Sequence, residues 1–226
     1  FGECLHKYVI TDAIRDGNVL RFAIEYIQTF KQKDEIQDIE IEKIDEAEVM
    51  NSPIRRRNIV NHIIQNHANK THQKTYTSMF CVADVDAAID YYQLFKTAKE
   101  EGKHNLNIAT IFTYQANEED KDAGAITEQF DEKELSLVAE DQETYSTKHS
   151  REYLDEFIVD YNQTFQTNYS TKDSKLFYEY YNDIAARVKT KQIDILIVVN
   201  MFLTGFDSKT LNTLYVDKNL KYHGLI

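Results

Sequence analysis

IDILIVVNMFLTGFD, Ile193 to Asp207, opens with six apolar residues in seven and then breaks. A short apolar run bounded by polar residues reads as a buried strand. Gly205 lets the backbone approach a ligand closely and permits φ > 0. The Thr204 hydroxyl and nearby amides suit a phosphate, and the Asp207 carboxylate suits ribose hydroxyls or a neighbouring arginine. The plainer alternative is a tight strand-to-helix turn in which Asp207 is the N-cap of the next segment.

Further elements follow on either side. NVLRFAIEYI, residues 18–27, alternates between apolar and polar and predicts a strand after the Asp16-Gly17 turn. Ser52-Pro53 predicts a helix start, with the helix running to about Asn69 and Ile59, Ile63 and Ile64 inward. TYTSMFCVA, residues 75–83, predicts a second strand. Asp84 then precedes an amphipathic helix ending at Gly102. NIATIFTY, Asn107 to Tyr114, predicts another strand. Residues 117–150 are acidic and predict a mobile insertion, because few large apolar groups oppose the chain entropy there. Two helices, about 150–166 and 173–189, lead to the opening strand, and LNTLYVD supplies one more. No internal repeat is visible.

This order predicts an α/β fold, a parallel sheet with helices on both faces and one acidic insertion. Ligands in such sheets bind beyond the carboxyl ends of the strands. That expectation puts Ala83-Asp84, Tyr114-Gln115, Thr204 to Asp207 and Asp217-Lys218 on one rim.

With 226 residues the chain can bury a substantial core, and fifteen Tyr and twelve Phe favour dense packing. The net charge of −12 argues against a binder that relies on bulk attraction to nucleic acid, though not against a local DNA site. Cys4 and Cys81 lack metal spacing and are expected as reduced thiols in a cytoplasmic protein. No stretch approaches the roughly 20 apolar residues of a membrane-spanning helix. The start at Phe1 and the stop at Ile226 inside an apolar pattern suggest a piece of a longer polypeptide.

Other candidates weigh toward ordinary roles. Arg55, Arg56 and Arg57 form a charge run at a helix start, where a solvated face is the expectation over phosphate contacts. His62, His67 and His72 recur every five residues, a spacing that does not share one helix face, so no metal site is expected. Tyr91-Tyr92 and Tyr180-Tyr181 read as packing. Asp217-Lys218 ends a strand and reads equally well as a support for the rim or as a turn salt bridge.

Val198 to Ile226, VVNMFLTGFDSKTLNTLYVDKNLKYHGLI, resembles motif V and its sequel in the motor (R) subunit of type I restriction enzymes. Phe1 to Tyr26 resembles the stretch joining the two motor domains of that family, and Tyr76 to Lys96 its motif IV strand and helix. The resemblance implies a second RecA-like domain of a superfamily 2 DNA translocase and endonuclease, with residues 1–50 as the linker from the first domain. It implies ATP with Mg2+, held mainly by the first RecA-like domain of the same polypeptide. Duplex DNA and the methyltransferase and specificity subunits are the implied partners. It places Thr204 and Asn200 on the DNA side, and Gly205 and Asp207 on the nucleotide side. The 226 residues contain no G-x-x-x-x-G-K-[ST] phosphate loop and no convincing nuclease constellation, and motif VI would begin just past Ile226. Another superfamily 2 helicase, or a non-catalytic scaffold that binds a partner, are the competing expectations.

Overall fold

The computed structural model describes residues 8–17, 21–27, 52–112, 145–203 and 206–218. These fall into two compact units, with residues 8–27 in one and residues 52–218 in the other. In the first unit, α1 spans Ile10–Arg15 and ends at Gly17, whose φ of 77° is natural for glycine. Residues 21–27, expected as a strand, have irregular backbone, and every side chain is exposed, Tyr26 at 92%. Alternation makes a strand only where a second strand takes up the backbone hydrogen bonds, and among the described residues none pairs with this stretch.

The second unit is a RecA-like α/β fold. Helix α2, Pro53–Lys70, begins as expected at Pro53, although the Ser52 hydroxyl makes no capping bond. Strand β1, Thr77–Val82, leads to α3, Val85–Glu100, whose N-cap Asp84 accepts the Ala87 amide at 2.7 Å. Strand β2 is Ile108–Ile111. Helix α4, Tyr145–Phe165, has its first six residues inside the stretch expected as an insertion, while residues 117–144 lie outside the described residues. The sequence YSTKHS is too polar to advertise this first turn. Helix α5, Ser174–Lys189, is capped by Asp173, and strands β3, Ile195–Val198, and β4, Leu211–Asp217, follow.

The strands pair in parallel in the order β2-β3-β1-β4. Every residue of β1 and β3 is buried, as expected for parallel strands covered on both faces. In β4, Asn212, Leu214 and Val216 form an exposed face. Phe80 of β1 meets Tyr91, Phe95 and Tyr215 edge to face, with centroids 4.7, 6.5 and 6.5 Å apart. Fully buried Tyr180 donates its hydroxyl to the Thr110 carbonyl at 2.8 Å, so its one polar group is satisfied. Cys81 is a free, buried thiol, as expected. Among the described residues no helix is long and apolar enough to cross a membrane.

Two histidines are built in as neutral rings. Burial lowers the pKa of His67, whose Nδ1 faces the Ser78 hydroxyl at 3.4 Å. Burial also lowers that of His104, whose Nδ1 accepts the Leu106 amide at 3.1 Å while Nε2 lies 2.9 Å from the Phe95 carbonyl. In the unfolded chain such rings take a proton near pH 6.5, but in the fold only at lower pH. Between those values the unfolded chain holds more protons, so stability falls as pH falls. Their contribution is complete above about pH 6.5 and is lost on acidification through the lowered values. Urea midpoints measured from pH 7.5 to 5.5 should therefore decline (roughly the range in which an ordinary histidine titrates). The double variant His67→Gln/His104→Gln should show a flatter profile. An equally steep decline in that variant would assign the pH dependence to other groups.

Candidate functional site

The carboxyl rim of the sheet is built on one aspartate. Asp217, the last residue of β4, is 8% exposed and receives both guanidinium nitrogens of Arg55, one at 3.0 Å. The Tyr91 hydroxyl of α3 donates to the same carboxylate. Burial opposes the Arg55 charge, but the hydrogen bonds and charge of Asp217 outweigh it and raise the arginine pKa. Burial and the adjacent Asp217 push the Tyr91 hydroxyl far up, so it stays a donor. The first turn of α2 is thereby tied to the end of β4 and to the middle of α3.

Lys218 extends from this anchored point. Its ammonium donates to the Val199 carbonyl at 3.1 Å and to Asn200 Oδ1 at 2.8 Å. The Cys81 thiol donates to the same Val199 carbonyl at 3.4 Å. Burial pushes that thiol up, and the Lys218 charge pulls the other way.

Beyond Asn200, Phe202, Phe206 and Thr210 lie against α5. Phe202 adopts φ +63°, a left-handed conformation unusual for a bulky residue. Its buried ring stacks on Tyr181 with centroids 4.6 Å apart and planes 8° from parallel, and Phe206 meets it edge on at 4.9 Å. Lys189, the last residue of α5, lies over the Phe206 ring at 5.2 Å. The Thr210 hydroxyl then donates to the Val188 carbonyl, and the Thr210 carbonyl accepts the Thr77 amide at the start of β1. The segment thus descends from the carboxyl rim to the amino edge of the sheet.

Residues 74–226 match the family described as type I restriction enzyme subunit R domain 3. The chain belongs to that family. It is 46% identical over 232 residues to "Type I restriction enzyme SauCOLORF180P endonuclease subunit" of Staphylococcus aureus (strain COL), covering all of this chain and 22% of the relative. It is 45% identical over 229 residues to "Type I restriction enzyme SsaAORF53P endonuclease subunit" of Staphylococcus saprophyticus, with the same coverage. The chain therefore spans 22% of the length of these curated relatives.

In this subunit R domain 3, the expected site residues fall in different places. Asn200 sits on the carboxyl rim, exposed and bonded to Lys218. Asp207 is exposed and lies partway down the descending segment, next to Phe206. The described element that follows it is β4, so the alternative in which Asp207 caps a helix is set aside. Thr204, Gly205 and Tyr114-Gln115 lie outside the described residues.

The arginine run departs from expectation. Arg55 and Arg56 are each 8% exposed, the first paired with Asp217 and the second with Asp90 of α3, while Arg57 is exposed. A charge run reads as solvated only while its partners are unknown, and these lie 162 and 34 residues away. Asp217 and Lys218 do not form a turn salt bridge with each other; each reaches another element. Two features of the rim had no sequence signal: the Lys218 contact with Asn200 and the left-handed Phe202.

Proposed function

We propose that the chain is the second motor domain of the ATP-dependent, DNA-translocating endonuclease subunit of a type I restriction-modification enzyme. The observation that carries this reading is the match of residues 74–226 to domain 3 of subunit R, joined to 46% identity along the whole chain. The rim fits a supporting role. Arg55 and Arg56 are committed to carboxylates. With no phosphate loop in these 226 residues, ATP and Mg2+ would be held mainly by the first RecA-like domain of the same polypeptide. From this side Gly205 and Asp207 would reach the nucleotide, and Thr204 and Asn200 the duplex. An element that meets both ligands lets one bias the binding geometry of the other. The assembled enzyme would include methyltransferase and specificity subunits and work in the cytoplasm.

Asp207→Asn in the full-length subunit tests the nucleotide assignment. Asparagine keeps the shape and removes the charge. A charge-assisted hydrogen bond is worth about 1.5–3 kcal/mol. Its loss should lower DNA-dependent ATP turnover by about tenfold to over a hundredfold if it acts fully in the transition state. The melting temperature of the assembled enzyme is the folding control. Turnover equal to wild type would remove Asp207 from the nucleotide site.

A further inference from the structure

We infer that Lys218 is a positioning residue that fixes the Asn200 amide so that its N–H2 group is presented as a donor to a backbone phosphate of duplex DNA. The inference rests on the proposed motor function and adds a residue to its DNA side.

The geometry is specific. Strand β1 lies between β3 and β4, so Lys218 crosses the end of β1 to reach Val199 and Asn200. That is two strand spacings, about 10 Å. The lysine side chain and its hydrogen bonds together cover that gap, and they start from a fixed base. The base is fixed because the preceding residue, Asp217, is held by Arg55 and Tyr91. The target is fixed as well, because Val199 follows directly on β3 and its carbonyl also accepts the Cys81 thiol.

The chemistry then sets the direction of the amide. An ammonium group has three donors and no acceptor, so it can bond only the oxygen of an asparagine side chain. With Oδ1 turned to Lys218, the Nδ2 donors of exposed Asn200 point away from it. Both oxygens bonded to Lys218 are neutral, and among the described residues no carboxylate pairs with its charge. Asp217, the adjacent carboxylate, is already engaged by Arg55. This corner of an otherwise acidic chain is therefore positive and offers donors, the combination that recognises a phosphate oxygen. Nucleotide phosphates share that chemistry, so the test separates the two sources.

The experiment uses the full-length subunit in the assembled enzyme. It compares Lys218→Met, Lys218→Arg, Asn200→Ala, Asn200→Asp and the double variant K218M/N200A. The readouts are the duplex concentration giving half-maximal ATP turnover, the KM for ATP and the melting temperature. Lys218→Met and Asn200→Ala should each raise the half-saturating DNA concentration on the order of tenfold, the worth of one hydrogen bond to a charged group. The KM for ATP should stay within about twofold of wild type in both, because a contact to one ligand alone changes the binding of that ligand. The double variant should be no worse than Asn200→Ala, since residues in one network are not additive. Lys218→Arg keeps donors for both oxygens and should restore most of the affinity. Asn200→Asp keeps the acceptor for Lys218, but it meets the phosphate with negative charge and should bind DNA at least as poorly as Asn200→Ala.

DNA dependence at wild-type level in Lys218→Met, alongside an impaired Asn200→Ala, would overturn the inference and leave the motor reading standing. Multiplying losses in the double variant would do the same, as would a rise confined to the KM for ATP. A silent Asn200→Ala would remove Asn200 from the DNA side and the inference with it. Wild-type enzyme without DNA-stimulated turnover would overturn both.

Discussion

Asp217→Asn should destabilise the second unit by about 3–5 kcal/mol, the cost of leaving one member of a buried ion pair without its partner. The Arg55 and Asp217 side chains are 10% and 9% exposed, so solvent screens the pair little. Asparagine preserves the volume and one acceptor oxygen. What disappears is the charge that offsets burial of the guanidinium, together with one of the two acceptor oxygens that Arg55 and Tyr91 use. Urea denaturation of the purified chain, compared with wild type, measures the loss. The control is Arg55→Met/Tyr91→Phe/Asp217→Leu, which removes both charges and the hydroxyl that donates to Asp217. That triple variant should recover most of the stability, because a well-packed apolar group is often neutral relative to a buried ion pair. A single-variant loss below about 1 kcal/mol, the range of exposed pairs, would show that water reaches this pair.

Phe80→Ala should be about as costly, roughly 3–5 kcal/mol, through lost transfer energy and the cavity left behind. Phe80 is 1% exposed at the middle of β1 and touches aromatic rings from α3 and β4. Those rings are anchored by strands and a helix, so the site cannot collapse around an alanine. Phe80→Leu should recover a large part of the loss. The same urea titration reads both variants, and a loss under about 1.5 kcal/mol for Phe80→Ala, the range of volume-conserving swaps, would mean the core refills. Phe80 packs on Tyr91, which bonds Asp217. The two substitutions should therefore be non-additive, with a coupling of about 0.5–3 kcal/mol.

The elements that local chemistry announces could be read from the chain. Asp84 and Gly102 bracket α3, Pro53 starts α2, and the apolar run after Gln192 is β3. The parallel class followed from strands alternating with helices. What escaped reading depends on distant residues. Residues 21–27 alternate like a strand, but periodicity cannot say whether a partner strand is within reach. Arg55 looked solvated because its carboxylate lies at the far end of the fold's last strand. The strand order puts β1 between β3 and β4, and Lys218 meets Asn200 across the end of β1. Asp207 shows the limit most sharply. Its spacing after Gly205 suggested a ligand or a cap, and the fold removed the cap.

The strand order also governs when this domain can fold. β1 pairs with β3 and β4, and β2 pairs with β3. Among the described strands the first ladder therefore cannot form until Ile195 has left the ribosome. At about 5–20 residues per second, that is on the order of ten seconds after Val82 is made. During that interval TSMFCV and IATI wait with both edges open, apolar and without their ladders, the state in which strands join the wrong chain. β3 acts as the closing piece for everything translated before it. A nascent chain stalled ahead of it would carry two strands that do not pair with each other.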